Sequence, residues 1–326
     1  MRIALILNPV AGTALTARSQ LPKDILEALL LEILSNQGIA PEIYYTTPED
    51  PGQEIAHRLA SERVDMVVAV GGDGTIHEVA SGLIGSTSVL GIIPAGTMNN
   101  VAHSLGIPDE LEGACAVLIN GEARLIDVGC LNGRTFLEVA GVGLEAALFP
   151  AASNLTSRGF RSTLWGAVSG LYTLFRFRAP HVQISFDNEK PRTYRALQVT
   201  ICNAPYYGPR LRVASGIFMD DGWLDAVLYT DFSKKEYIRH AISISQGRRP
   251  FTPKVLHRRT RALHIKTDEP VEIQADGVAH GHTPVQITIV PHALNVQVPQ
   301  MPGPGLHPLE NRASHLYQAE RKQTYA

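Results

Sequence analysis

The residues with the clearest chemical potential are VGGDGTIHEV at 70–79, which follow the apolar run VDMVVAV and lead into a helical pattern. Gly71, Gly72 and Gly74 lack a Cβ, so the backbone there can turn sharply and present its N–H groups to an oxygen-rich anion. A helix expected from about Thr75 to Leu83 adds the positive end of its dipole and its unbonded N–H donors. Asp73 is the anomaly, because an acid beside a phosphate is repulsive unless a cation lies between them. It therefore implies Mg²⁺ or a proton-transfer task. The bland alternative is a tight strand-to-helix turn with Asp73 as N-cap. Neither GxGxxG nor GxxxxGK[ST] is present in this stretch.

Other predicted strand ends resemble it. NPVAG, with Asn8, Pro9 and Gly12, follows the first apolar run and offers further N–H groups. IIPAGTMNN follows the fourth, with Gly96 and Thr97 at the turn and Asn99 or Asn100 capping the next helix. Thr46, in YYTTPED, ends the remaining strand and is placed to touch a base or ribose. Turns of this composition are common singly. Together on one sheet edge they converge on one crevice, where doubly wound sheets bind their ligands.

The elements that must position these loops alternate strictly. RIALILN, PEIYYTT, DMVVAVGGDG and SVLGIIPAGT read as short buried strands. Between and after them, KDILEALLLEILSNQG (with Gly38 as a stop), PGQEIAHRLASERV, NNVAHSLGIP and LEGACAVLINGE read as helices. That rhythm predicts a doubly wound parallel sheet covered on both faces. After ARLIDVG the pattern changes to β-rich runs, from RTFLEVAGVG through HVQISFD, TYRALQVTICN, WLDAVLYT, RALHIKTD, PVEIQAD and PVQITIVP to ALNVQVP. Paired as hairpins, these predict a mostly antiparallel β-sandwich. A helical insert is expected at about Arg161 to Phe177. The expected domains are therefore 1–128, an α/β nucleotide-binding domain; 129–300, a β-sandwich; and 301–326, a mobile tail.

Bulk properties agree with two domains, since 326 residues is long for one core. Residues 1–130 carry 6 Lys and Arg against 16 Asp and Glu, whereas 131–326 carry 23 against 15. The basic half suits an anionic surface, with uneven solvated charge as the alternative. Cys115, Cys130 and Cys202 are too sparse and ill-spaced for a disulfide framework or zinc site and favour a reducing cytosol. No apolar run reaches the ~18 residues of a membrane span. The start, MRIALILNPVAG, is too short in its apolar part for a signal peptide and reads as a buried strand.

The motifs NPVAG, GGDGTIHEV, IIPAGTMNNVAHSLGIP, FLEVAGVGLEA, NAPYYGPRLRVASGIFMDDGWLD and IQADG occur in that order. In this the chain resembles the diacylglycerol kinase catalytic-domain family, which includes bacterial lipid kinases and sphingosine kinases, over roughly Arg2 to Pro299. The resemblance implies transfer of the γ-phosphoryl of ATP to a lipid hydroxyl at a membrane surface, with Mg²⁺, by an α/β domain followed by a β-sandwich. It places ATP contacts at Asn8 to Gly12, Thr46, Gly71 to His77 (including Gly74, Thr75 and Ile76) and Thr97. It implies a metal loop in FMDDGWLD, with the Asp221 carboxylate and the carbonyls of Phe218 and Trp223 around a hard cation. A β-turn at Asp221–Gly222 is the alternative.

Phosphoryl transfer also needs a group to take the attacking hydroxyl's proton. The family carries Asp-Gly-Glu near the end of its sandwich, whereas this chain reads Asp276-Gly277-Val278. Asp276 is the expected base and Asp127, in LIDVG, the acid expected to orient it or a Mg²⁺. The replacement of glutamate by Val278 raises a weakened, nucleotide- or lipid-binding protein as an alternative, and an NAD-kinase-like enzyme with a soluble acceptor is another. His280 and His282 are substitute bases or surface histidines. The insert's Trp165, Leu171, Tyr172 and Phe175 suit an acyl-chain cleft, a membrane interface or packing on the sandwich. Arg248, Arg249, Arg258, Arg259 and Arg261 suit anionic headgroups or a solvated face. No nucleic-acid module accompanies the basic residues. The expected protein is cytoplasmic, touches the membrane peripherally, has no transmembrane segment and is compatible with a homodimer.

Overall fold

In the computed structural model, the structure describes residues 1–9, 23–148, 172–173, 176–208, 211–212, 214, 216–245, 254–301 and 303–307. The chain forms two compact units. The first comprises Met1–Asp127, Phe218–Asp221 and Pro291–Ala326; the second comprises Val128–Ile217 and Gly222–Val290.

In the first unit, β1 (Ile3–Leu7), β2 (Glu42–Tyr45), β3 (Met66–Gly71) and β4 (Val89–Pro94) are all parallel, in the order β4-β3-β1-β2. Strands β1 and β3 are buried at every position, as expected of strands covered on both faces. The chain steps one way from β1 to β2 and then the other way from β2 to β3 and β4. Right-handed crossovers therefore put α1 (Lys23–Asn36) on one face and α2 (Gln53–Ser61) with α3 (Asp73–Leu83) on the opposite one. The contacts agree: α2 packs on α3, and α1 packs on α5 (Leu111–Asn120), which follows the short helix α4 (Asn100–Leu105). This reversal between β1 and β3 is the switch point, where the crevice of such a sheet opens.

Two returning segments complete this unit. The final strand, β17 (Val285–Val298), is continuous where the sequence reads as two runs, and its last part joins β4 in parallel through Val296 and Leu90. Residues 303–307 were expected to belong to a mobile tail. Instead Gly303 and Gly305 donate to the carbonyls of Leu105 and Ser104 at 3.1 and 2.8 Å, and Leu306 is buried. The other return, Phe218–Asp221, is held by a fully enclosed ion pair between Arg124 and Asp220 at 3.1 Å. The second Asp220 oxygen accepts the His307 N–H at 3.0 Å, and the His307 carbonyl accepts Arg124 Nη2 at 3.0 Å. Phe218 stacks on the His307 ring, centroids 3.9 Å apart.

The chain enters the second unit along β5 (Glu122–Leu131), which pairs with β6 (Arg134–Phe136). One sheet pairs β16 (Val278–His282), β15 (Glu272–Ala275), β7 (Val139–Gly143), β9 (Arg192–Cys202), β12 (Leu224–Thr230) and β13 (Val255–Thr260), all antiparallel. The first part of β9 also pairs with β8 (His181–Phe186), which continues through β14 (Ala262–Thr267) to β17. Phe136, Phe186, Ile184, Ile201, Leu228, Ile265 and Ile287 lie in the core between these layers. The antiparallel sandwich expected from the alternating runs is present. A helix that the sequence reading missed, α6 (Lys234–Ser245), follows β12. The small hairpin of β10 (Tyr206–Tyr207) and β11 (Leu211–Arg212) stands apart. The predicted insert lies mostly outside the described residues.

Candidate functional site

The carboxyl ends of β1, β3, β4 and β2 carry Asn8, Gly71–Thr75, Pro94–Asn99 and Thr46, so the parallel order brings the predicted loops to one edge. The decisive contact is between the β3 and β4 loops. A Cβ on Gly96 would lie 2.4 Å from the Gly72 Cα, and one on Gly72 would lie 3.1 Å from the Gly96 Cα. No side chain fits between these backbones. The Ala95 N–H donates to the Gly71 carbonyl at 2.8 Å, carrying the β3–β4 ladder into the turn. On the other side of β3, Asn8 Nδ2 donates to Thr75 Oγ1 at 2.9 Å and the Asn8 N–H donates to the Val70 carbonyl at 3.1 Å.

Helix α3 begins at Asp73, two residues earlier than the sequence indicates, with Gly72 extended before it and no side-chain cap. Its first intrahelical bond runs from the Ile76 N–H to the Gly72 carbonyl at 3.0 Å. The amides of Asp73, Gly74 and Thr75 precede that bond, and Gly74 is exposed. The Ile76 side chain is fully buried, and His77 is half-buried one position on.

Asp73 does not cap its own helix. Its Oδ1 accepts the Val101 N–H at 3.3 Å, in the first turn of α4, and so ties the glycine loop to the helix after the neighbouring loop. Asn99, predicted as the cap of α4, makes no capping bond and takes a left-handed conformation, φ 53°. Its side chain instead closes the turn, accepting the Gly96 N–H at 2.9 Å and donating to the Gly96 carbonyl at 3.2 Å and to Asp109 at 3.4 Å. Thr97 is thereby held at an exposed turn. Thr46 is buried, and its N–H donates to the Leu7 carbonyl at 2.9 Å. Pro9 is half-buried; Gly12 lies outside the described residues.

Asp127 is wholly buried in the first unit, where its Oδ1 accepts the His292 N–H at 2.8 Å and its own N–H donates to the Met219 carbonyl at 2.6 Å. Asp221 and Phe218 are half-buried in the same returning loop, and Trp223 lies one residue past Gly222, where the chain returns to the second unit.

In the second unit, Asp276 and Gly277 form the two-residue turn between β15 and β16, with φ 44° and 80°. The Asp276 carboxylate sits in a nest of successive amides. Leu137 N donates to Oδ2 at 2.6 Å, and Glu138 N and Val139 N each donate to Oδ1 at 2.9 Å. Asp276 therefore fixes the chain entering β7 as well as making the turn. Val278, after that turn, is 56% exposed. His280 is half-buried and His282 exposed on the same strand.

Sequence reasoning missed Glu145, which follows β7. Gln198 Nε2 donates to its Oε2, and Thr200 Oγ1 donates to the same oxygen at 3.2 Å. The Tyr237 hydroxyl donates to Gln198 Oε1. Burial pushes the Glu145 carboxyl up to about 7, against the lowering effect of the Thr200 and Gln198 hydrogen bonds. The hydroxyls of Tyr207, Tyr229 and Tyr237 are raised too, by burial first, then by the Glu145 charge for Tyr207 and Tyr237 and by Tyr237 for Tyr229. No local spacing marks Glu145, because its partners come from β9 and α6, more than fifty residues on.

Among the described residues there is no group of three or more His, Cys, Asp and Glu side chains that could hold a metal, and no helix long and apolar enough to cross a membrane.

Comparison with known proteins gives a consistent result. The family model described as diacylglycerol kinase catalytic domain matches residues 2–131, and that of the YegS C-terminal NAD kinase beta sandwich-like domain matches 139–298. A Bacillus subtilis (strain 168) protein named diacylglycerol kinase is 28% identical over 304 residues, covering 92% of this chain and 97% of its own length. An uncharacterized protein of Synechocystis is 30% identical over 313 residues, covering 90% of this chain and 70% of its own. A crystal structure of a diacylglycerol kinase from Bacillus anthracis superposes with a TM-score of 0.71 at 22% identity, covering 92% of this chain and 97% of that one. That likeness is one of fold.

Two outcomes test this geometry. Gly96→Ala forces a Cβ against the Gly72 backbone and is expected to lower stability in urea titration by roughly 1–3 kcal/mol. A Cβ on Gly74 meets nothing within 4 Å, so Gly74→Ala should fold normally and serve as the control. Glu145 has a folded pKa of about 7, above its ordinary value of 4.5, so its proton stabilises the fold fully below 4.5 and that contribution is lost as pH rises to 7. In urea titrations, Glu145→Gln should gain stability relative to the parent across that window and hold a constant difference above it.

Proposed function

Because the chain belongs to the diacylglycerol kinase catalytic-domain family, we propose that it is an ATP-dependent lipid kinase, transferring the γ-phosphoryl group to a hydroxyl of diacylglycerol or a related lipid. The observation that carries this reading is the Gly72–Gly96 contact with Asp73 beside it. It supports a polyphosphate cradle, because two loops without side chains leave the Asp73–Thr75 amides and the start of α3 at a sheet edge. Asn8 orients the Thr75 hydroxyl in the same place.

Asp73 fits a Mg²⁺ that arrives with the nucleotide. Such an ion keeps several waters, takes phosphate oxygens and needs only one or two carboxylates, so a lone acid beside the cradle suffices. When bound, the ion would neutralise phosphate charge. Asp221, with the carbonyls of Phe218 and Trp223, would hold a second hard cation of structural use. In this reading Asp276 takes the proton of the attacking hydroxyl and Asp127 is the orienting acid. The amide nest supports a fixed orientation for the Asp276 carboxylate. The protein works in the cytoplasm and meets its lipid at the membrane surface.

One observation favours a second reading, in which turnover is weak: the exposed apolar Val278 stands where the family's glutamate would be. Incubation with labelled ATP and a total lipid extract tests the first reading. Label is expected in the organic phase and lost at least 100-fold with Asp73→Asn; label on a soluble acceptor such as NAD would overturn it. For the second reading, Val278→Glu is expected to raise kcat toward the ~100-fold that a positioned acid or base contributes. An unchanged kcat would remove that reading.

A further inference from the structure

Among the described residues, β13 is hydrogen-bonded only to β12 and forms a sheet edge. Its sequence, VLHRRT, is basic, and Arg261 follows at once. The register sorts these cations into two groups. Leu256 and Arg258 share one face of the strand, His257 and Arg259 the other. Arg258 lies over the Phe186 ring at 4.6 Å and pairs with Glu189, so its charge is spent within the sandwich.

Arg259 and Arg261 stand differently. Their guanidinium carbons lie 5.6 and 4.6 Å from the centroid of the same Trp223 ring. Trp223 is half-buried, the Arg259 side chain is 45% exposed and Arg261 is exposed. Arg259 also reaches toward Asp225 at 3.9 Å, where His257 Nε2 already contacts the same carboxylate oxygen at 2.5 Å. One buried acid thus faces both His257 and Arg259. The whole unit, residues 128–217 and 222–290, carries 20 Lys and Arg against 11 Asp and Glu.

We propose that Trp223, Arg259 and Arg261, with the outer edge of β13, form the face by which the second unit docks on an anionic phospholipid surface. An indole between guanidinium groups suits the headgroup layer, where aromatic rings and arginines both settle. A surface of negative charge complements the exposed Arg261 and the cationic excess of the unit that carries it. An edge strand also gains from charge simply because charge blocks pairing with another chain. That need is met by any cation along the edge and does not call for two arginines on one tryptophan. The biological sense of this face rests on the lipid-kinase reading, but its test does not.

The experiment is co-sedimentation of the full chain with vesicles of phosphatidylcholine alone or with phosphatidylglycerol added. Binding to the mixed vesicles only is expected, weakening as salt rises. The Arg259→Ala, Arg261→Ala double variant should lose about 30-fold in affinity, since each basic residue near such a surface contributes about fivefold. In a Trp165→Phe background, Trp223 emission should shift to shorter wavelength on binding. Equal binding to both vesicle types, no binding, an unchanged double variant, or a concentration-dependent dimer that the double change abolishes would each overturn the proposal. Activity on a water-soluble short-chain diacylglycerol, expected to be unaltered in the double variant, separates this outcome from the first. Absent activity with intact vesicle binding sinks the kinase reading alone, and intact activity without vesicle binding sinks only the docking face.

Discussion

Two backbones touching where no side chain can stand is the constraint on which the first unit depends. Adjacent parallel strands lie ~4.8 Å apart, so the turns leaving β3 and β4 would clash or splay if either carried ordinary residues at closest approach. Gly72 and Gly96 let them run in contact, and the bond from Ala95 to Gly71 holds them there. The helix that starts from the first turn then points its N-terminus into the gap. The side chains around this contact act as braces: Asn99 shapes one turn, Asn8 ties the other to β1, and Asp73 spans from one turn to the next helix. The two turns thus meet through main chain, an arrangement that suits the proposed recognition of phosphate oxygens by N–H groups.

The second unit solves a different problem, that of polar groups among apolar ones. Asp276 is held by three amides, so its charge fixes the chain entering β7. Among the described residues, Glu145 has no cation to pair with. Its burial is offset by Gln198 and Thr200 on β9, and the remaining penalty appears as a raised pKa. In the first unit, the enclosed Arg124–Asp220 pair is also hydrogen-bonded to backbone groups of His307. Such pairs add little net stability over apolar packing, but losing one partner is severe. Their effect here is to set where the Phe218–Asp221 loop and the chain's last described residues lie.

How much of this was legible in the sequence varies with the range of the interactions. The parallel sheet and its helices follow from local period and turn residues, and so do the loops at its edge: VDMVVAV followed by GGDG is readable because strand, turn and helix are contiguous. Asn99, one of the two local candidates, takes the N-cap position of α4, but its side chain folds back on Gly96 and it is Asp73 that reaches the helix's first turn, from 28 residues away. Glu145 was invisible for the same reason. Helix α6 was missed because its hydrophobic residues, in KKEYIRHAISIS, are few and flanked by charge. The continuous β17 was split by Pro291, which normally ends a strand.

The path of β17 also bears on how the protein is made. Strand β4 pairs with β3 early but gains its second parallel neighbour from residues past Pro291, and the loop at Phe218 that meets Asp127 is likewise a late arrival. Synthesis delivers the first four strands early, yet they leave one flank of their sheet unpaired until the segment after Pro291 has emerged. The nascent chain must therefore tolerate an exposed β4 through the synthesis of the entire sandwich. A gene fragment cut at residue 128 would express that same incomplete intermediate, an aggregation-prone half-sheet in place of a stand-alone nucleotide-binding module.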